Sequence, residues 1–545
     1  MKRHNRHHAT APSIEALLSR GNDLIDRGAF TDAIATYREL TTLAPQFGPG
    51  YHNLALALEG DGRLTDALSV CGRAVELQPD DIDSYLVMAR LLLRLGRMDQ
   101  AVSMYQLAAL AAPGRADIHA SLAAGLARQG RLDEAEAACR TALELSPHSV
   151  GAYLNFGIIN SKRGDLLGAV EAYRNAIRID PNGPEGWTNL GFALSNLGMS
   201  AAAIEAASRA VALRPADPTL HYNHAMLLLL AGDLKAGFRA FECRLSHPEP
   251  RFRPRAYDIP RWRGEHRNGK TLLIHAEQGL GDTLHFARFV AATAASGGPV
   301  VLQVQSPLAN LLRDSLDVTV ISRDDPEPPF DLHVPLMSLP FELGTTIETI
   351  PAERPYLKVP PARRAEWRQR LAGYSSLKVG IVWAGSPGHL YDGQRSLAAN
   401  AIFPHLRVPG VQLFSLQKET SPVDAECLAQ LKNEVVDLAP LLTTFAETAA
   451  AASAMDLVIS VDTSVAHLAG ALGQRTWILL PHILDWRWFY QREDTPWYPS
   501  ARLFRQHRPN DWASVLDRLP GELQRLASDR DHRQQTRPSP ANSVR

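Results

Sequence analysis

The chain is short of cysteine, of net charge and of long apolar runs. Only Cys71, Cys139, Cys243 and Cys427 occur in 545 residues. Their wide separations match neither a disulfide framework nor a zinc site, which leaves reduced, packed thiols. Lysine and arginine number 57 against 58 acidic residues, a formal net charge of -1. No electrostatic reserve remains for gripping a nucleic-acid backbone, so nucleic acid is excluded as a partner. The longest uncharged stretch, residues 289–312, is broken by Ser-Gly-Gly-Pro and two glutamines; no integral membrane segment is expected. The basic opening MKRHNRHHATAPS is followed by no apolar h-region. The expectation is a cytoplasmic protein with a disordered N-terminus over 1–13. Two motifs are missing as well. No Asp-x-Asp sits at a strand end and no Gly-x-Gly-x-x-Gly is complete, so neither a dedicated metal site nor a nicotinamide site is expected, and no cofactor.

What is present is a ruler. Gly28, Gly62, Gly96, Gly130, Gly164, Gly198 and Gly232 stand 34 residues apart, and Pro45, Pro79, Pro113, Pro147, Pro181 and Pro215 keep the same step. So do Tyr51, Tyr85, His119, Tyr153, Trp187 and His221, and an alanine follows five residues after each of the first six glycines. That period fits two antiparallel helices per unit: glycine ends the first helix in a left-handed turn, alanine lets the second pack close, and proline closes the unit. Seven tetratricopeptide-type copies are read over 14–250, an all-α solenoid. Nine residues after the glycines come Tyr37, Cys71, Tyr105, Cys139 and Tyr173, so Cys71 and Cys139 take the place of a core aromatic.

Stacked helix pairs form a concave groove suited to a peptide or protein partner. Asn53, Asn155, Asn189 and Asn223 recur at one position of the repeat, with Val87 and Ser121 between them. Such asparagines could bond both donor and acceptor of a peptide backbone in the groove, or serve as polar bonds inside each repeat.

After Phe241 the grammar changes. A Pro-, Arg- and aromatic-rich stretch over 251–269 reads as a junction. From Lys270, short apolar strands (TLLIH, PVVLQV, VTVIS) alternate with helix-like stretches, the signature of a parallel sheet with helices on both faces. A second start at KVGIVWAG is followed by VQLFSLQK, DLVISV, TWILLP and ARLFRQ. Two α/β halves of the Rossmann type are expected, an acceptor side at 270–360 and a donor side at 361–528, with a disordered tail at 529–545. Ligands of such sheets sit at the carboxyl ends of the strands.

Three stretches carry candidate chemistry. In HAEQGLGDTLHFARF, Gly279 and Gly281 turn the chain from strand to helix at Asp282. That carboxylate could take a proton from a hydroxyl, or simply cap the helix; Glu277 and His285 flank it as further bases. In DLVISVDTSVAHLAGALG, the side chains of Thr463, Ser464 and His467 share a helix face beside Asp462. A helix N-terminus with free amides and hydroxyls is an anion site that fits a diphosphate; capping with one exposed histidine is the plainer alternative. Ser386, Arg395, Gln417, Lys418 and Arg487 lie at other strand ends, where they could hold phosphate.

On these motifs the C-terminal half, roughly 255–525, resembles the bacterial glycosyltransferases related to the lipopolysaccharide heptosyltransferases, built as two Rossmann-like domains in the glycosyltransferase-B fold. Repeats fused to such a domain are also similar in architecture to the protein O-GlcNAc transferases. The resemblance implies that Asp282 is the base, that Asp462, Thr463, Ser464 and His467 hold the diphosphate of a nucleotide sugar, and that Arg395 and Lys418 assist. Ser464 stands where those enzymes usually carry glycine, and Gln394-Arg395-Ser396 where they carry a lysine-bearing segment. The expected activity is metal-independent transfer of a sugar, of hexosyl or heptosyl type, from a nucleotide diphosphate to a hydroxyl, on a protein presented by the repeats. The alternatives are a glycan acceptor, or a scaffold carrying a silent transferase fold.

Overall fold

The computed structural model describes residues 13–247, 249, 255–352, 354–389, 392–482 and 485–535. Residues 1–12 of the expected disordered N-terminus, 251–254 of the expected junction and 536–545 of the expected tail lie outside the described residues. The chain divides into two compact units after Ala193.

The first unit is a run of antiparallel helices from Ile14–Asp26 onward, with two helices per 34 residues. All seven ruler glycines have φ between 71° and 89°, the left-handed turn that glycine adopts at no steric cost. Ala33, Ala67, Ala101, Ala135 and Ala169 are fully buried, and Cys71 and Cys139 are buried with them. The ring of Tyr37 packs where a Cβ on Gly21 would stand 2.4 Å from it, and Tyr173 does the same at Gly157. Large residue meets glycine, and the close helix spacing survives. The mixed column of Tyr, His and Trp also has one physical cause. Tyr51, His119, Trp187 and His221 each place a ring donor on the carbonyl of the proline six residues earlier, at 2.8–3.2 Å.

The second unit opens with helices Ser200–Leu213, Pro218–Leu230 and Leu234–Phe241 and a 3-10 turn, Glu242–Ser246. The helix pairs thus continue to Phe241, toward the expected end of the repeats near 250, while the compact units divide earlier, within the repeats. Phe238 and Phe241 of the last repeat share one buried cluster with Trp262 and the first sheet. The stretch read as a junction is folded too: Trp262 is fully buried and its backbone N–H donates to His333 O at 2.9 Å.

Two wholly parallel sheets follow. The first contains β1 (Leu272–His275), β2 (Val300–Val304), β3 (Thr319–Ser322) and β4 (Leu332–Pro335) in the order β3-β2-β1-β4. The second contains β5 (Leu377–Val382), β6 (Val411–Ser415), β7 (Val435–Asp437), β8 (Leu457–Val461), β9 (Thr476–Leu480) and β10 (Ala501–Arg505), ordered β10-β9-β8-β5-β6-β7. β2 and β8 are buried at every position, as strands covered on both faces must be. β4 and β7 went unread in the sequence. The expected tail begins inside a helix, Leu519–Gln535, tied back by Arg530 Nη1 donating to Asp456 Oδ2 at 2.9 Å.

Helix Ser464–Ala471 packs so closely that a Cβ on Gly470 would stand 2.5 Å from the Tyr498 ring, whereas one on Gly521 would meet open space. Gly470→Ala is expected to cost about 1–3 kcal/mol by overpacking, and Gly521→Ala to gain about 0.5–1 kcal/mol in its helix. Urea titration of the two variants checks both signs.

Candidate functional site

In each sheet the chain runs outward in one direction and then returns to the other side of its first strand. That reversal opens a crevice at the carboxyl ends of β1 and β4 in one sheet, and of β5 and β8 in the other. Ligands bind at such switch points.

β1 leads into a loop, Ala276–Gly279, and then helix Leu280–Phe286. Asp282 caps that helix: its Oδ2 accepts Gly279 N–H at 2.9 Å. Its Oδ1 accepts Arg487 Nη2 at 2.5 Å, and the Asp282 side chain keeps 23% exposure. Arg487 comes from the turn after β9, where its Nη1 also donates to both oxygens of Asp485 at 2.8–2.9 Å. Its guanidinium lies 4.5 Å over the Trp486 ring. One buried cation thus joins a carboxylate of the first half to a carboxylate of the second. Arg487 was noted in the sequence as a possible phosphate partner; Asp485 was missed, although the Asp-x-Arg spacing permits the bidentate pair.

β8 leads into Asp462, Thr463 and helix Ser464–Ala471. Thr463 is the N-cap residue, yet its hydroxyl lies 3.1 Å from Ser460 Oγ and does not cap. The Ser464 and Val465 amides have no acceptor among the described residues. Arg395 Nη1 donates to Asp462 O at 2.8 Å, and its Nε to Asp392 Oδ1 at 3.2 Å. Gly385, at the β5 end, passes so near that a Cβ there would be 2.5 Å from Arg395 Nη2. Ser386 is exposed beside it. Desolvation, reinforced by the Asp485 carboxylate, raises the Asp462 carboxyl to about 6.

The two helices meet directly. A Cβ on Gly281 would stand 3.2 Å from His467 Cδ2 and 3.5 Å from Ser464 Cα, so the Asp282 helix lies against the β8 helix with little room to spare at the His467 ring.

Several expected ligands are otherwise employed. His285, expected as a catalytic residue, is 0% exposed, and its Nδ1 lies 3.0 Å from Tyr498 Oη. His467, expected on the diphosphate, is 6% exposed; its Nδ1 lies 2.9 Å from the same hydroxyl and its ring stacks on Trp488 at 5.3 Å and 9°. Burial drives both imidazoles well below their ordinary range, helped by Arg288 and Arg487. Both are neutral wall residues: Tyr498 donates to one and accepts from the other. The signal for Tyr498 lies in TPWYPSARLFRQ, just ahead of the expected strand ARLFRQ.

Gln417 is a backbone splint. Its Oε1 accepts the Trp383 and Ala384 amides, and its Nε2 donates to Ala384 O and Glu419 O, at 3.0–3.2 Å. No lone pair or proton is left for a ligand. Lys418 is exposed and donates to Ala439 O at 3.2 Å. Glu277, expected as a further base, has both oxygens occupied by Arg244 and the Met337 amide. In the repeats, Asn53 Nδ2 donates to Asn22 Oδ1 and Asn155 Nδ2 to Ala120 O. These two amides bond inside the solenoid; Asn189 and Asn223 are half-buried.

Residues 401–479 match Glycosyltransferase family 9 (heptosyltransferase), and residues 18–82, 58–125, 116–141 and 184–217 match Tetratricopeptide repeat families. Protein FlbA of Caulobacter vibrioides is 29% identical over 348 residues, 57% of this chain and 55% of that protein. The chain thus aligns with about half the length of that relative. A tetratricopeptide repeat protein from Parabacteroides merdae is similar over 44% of this chain and 94% of its own, at 18% identity and a TM-score of 0.40. TTC0263, a thermophilic repeat protein of Thermus thermophilus, covers 34% of this chain with all of its own length, at 22% identity and a TM-score of 0.32.

Tyr498→Phe strips both histidines of their shared hydroxyl and is expected to cost about 1–3 kcal/mol for each nitrogen left unpaired, measured by urea unfolding. The same histidines set a pH dependence. The unfolded chain protonates them below about pH 6.5 and the folded chain does not, so stability is full above that value and falls as the pH drops. The slope is about 1.4 kcal/mol per pH unit for each histidine. Asp462 has the opposite sign, holding a folded-state proton between its raised value of about 6 and the ordinary carboxylate range, and offsets one histidine there. Unfolding at pH 7.5 and pH 5 is expected to show lower stability at pH 5; equal stability contradicts the neutral assignment.

Proposed function

From tetratricopeptide repeats followed by a glycosyltransferase family 9 region, we propose that the chain moves a sugar from a nucleotide diphosphate to a hydroxyl, on a protein held by the repeats. The observation that carries this reading is the meeting of two helix N-termini from opposite sheets at Gly281 and Ser464. Asp282 stands on one and the open amides of Ser464 and Val465 on the other.

In this reading the diphosphate takes the Ser464 and Val465 amides at the positive end of helix Ser464–Ala471, beside Arg395. Asp282 accepts the proton of the incoming hydroxyl as its oxygen bonds to the anomeric carbon. The bond from that carbon to the diphosphate breaks, and its electron pair leaves on the phosphate oxygen. The Asp282 carboxylate is held in one orientation by Gly279 N–H and Arg487, which suits a base that must meet its proton within hydrogen-bond reach. His467, Ser386 and Lys418 are left with supporting roles in the walls of the crevice.

A second reading has its own observation. Four carboxylates, Asp282, Asp392, Asp462 and Asp485, surround the guanidiniums of Arg395 and Arg487, which disfavours a bare anion and favours a silent transferase fold acting as a scaffold.

Turnover of nucleotide sugars separates the readings. Asp282→Asn is expected to lose about 10²–10⁴-fold in rate with nucleotide affinity retained. Ser464→Glu sets a carboxylate at the helix N-terminus, where it favours the fold, and is expected to weaken nucleotide binding at least tenfold. Full turnover in Asp282→Asn, or undiminished affinity in Ser464→Glu, contradicts the assignment.

A further inference from the structure

Glu277 stands two residues before Gly279, in the loop that delivers Asp282. Its Oε1 accepts Arg244 Nε at 3.2 Å, and its Oε2 accepts Arg244 Nη2 at 3.0 Å and Met337 N–H at 3.1 Å. Arg244 is 0% exposed and belongs to the 3-10 turn that ends the last repeat helix. Its Nη1 donates to Glu242 Oε1 at 2.6 Å, and its Nη2 to Ser338 Oγ at 2.6 Å. Glu242 in turn takes Arg261, which also donates to Glu342 at 2.8 Å. From the other side, Arg323 Nη2 donates to Ala276 O and Glu277 O at 2.6 and 3.1 Å, and Gln305 Nε2 to Gln278 O at 2.8 Å.

We propose that Arg244 is a positioning residue: the turn closing the repeat array anchors, through Glu277, the loop that aims Asp282. This rests on Asp282 acting on the acceptor as proposed above. A loop carrying Gly279 and Gly281 has wide backbone freedom of its own. A planar guanidinium that forks onto both carboxylate oxygens removes that freedom, and a lysine ammonium cannot reproduce the fork. A displacement of about 1 Å at a reacting group lowers rates on the order of 10²-fold, so the anchor acts on rate without touching the substrate. The last repeat is then part of the catalytic half.

The test uses the full-length chain with Glu277→Gln, Arg244→Lys and Arg244→Met, reading nucleotide-sugar turnover, its pH–rate profile, binding of uridine, adenosine and guanosine diphosphate, and hydrogen exchange. Glu277→Gln is isosteric and is the decisive variant should Arg244→Met not fold. It is expected to lower kcat about 10- to 100-fold, leave nucleoside diphosphate affinity within about twofold, and leave the acid limb of the profile in place. Arg244→Lys is expected to recover part of the rate lost in Arg244→Met. Amides of 276–286 should exchange faster in Glu277→Gln while those of 457–471 do not. Unchanged kcat, or a uniform rise in exchange over the whole chain, overturns the proposal. Loss of the acid limb in Glu277→Gln also overturns it, since Glu277 is then itself a base. If the wild type turns over no nucleotide sugar, the transferase reading fails by itself, and exchange decides the anchor: unchanged protection of 276–286 overturns it.

Discussion

The contact between Gly281 and Ser464 is the constraint on which the candidate site depends. Parallel sheets place their functional loops at the carboxyl ends of strands, but two sheets make one site only if those ends come together. Here they meet at Gly281, against Ser464 and the His467 ring. A Cβ on Gly281 would stand 3.2 Å from the His467 ring, tighter than an ordinary contact, and 3.5 Å from Ser464 Cα, in van der Waals contact, so a side chain there requires the His467 ring to give by a few tenths of an ångström. The rest of the unit supports that approach. Tyr498 fills the space under both histidines, Gly470 admits the Tyr498 ring, and Arg487 closes the gap with a pair of carboxylates.

Arginine carries an unusual share of this architecture. Arg487 binds across the halves, Arg244 and Arg323 hold the Asp282 loop, and Arg395 holds the end of β8. Each is tied to carboxylates or backbone carbonyls rather than left as a reserve of positive charge. A guanidinium suits this use because it offers five donors in a fixed plane and stays charged when buried. With these guanidiniums so paired, the open amides of helix Ser464–Ala471 are the donors an incoming anion would find unoccupied.

The periodic parts of the structure were legible in the sequence. A 34-residue step written in glycine, alanine and proline sets the helical hairpins, and short, mostly apolar runs such as VVLQV and LVISV are readable as buried parallel strands. β4, Leu332–Pro335, was not readable because a histidine and a proline interrupt its apolar pattern, and β7, Val435–Asp437, is three residues long. Among the site residues, local ones were easier than paired ones. Asp282 and the Thr463 turn lie where strand gives way to helix, a feature of one stretch. The pairing of Asp282 with Arg487 spans 205 residues, and nothing in either stretch announces the other. His285 and His467 misled for a related reason: helical spacing puts His467 on the face of the hydroxyls, but only tertiary packing reveals the tyrosine that turns both rings into the wall. Gln417 was misread in the same way, since an amide at a strand end can serve a ligand or the backbone beside it. The compact units divide inside the repeats, a division the 34-residue step does not mark, because that step continues through residues whose burial partners belong to the α/β region.

The central claim is that one crevice, between the Asp282 helix and the β8 helix, holds the diphosphate. A crystal structure of the full chain with a nucleoside diphosphate tests it most directly. The account predicts phosphate oxygens within about 2.7–3.2 Å of the Ser464 and Val465 amide nitrogens, with the terminal phosphate turned toward Asp282. A diphosphate seated elsewhere, with those amides still unoccupied, would contradict it.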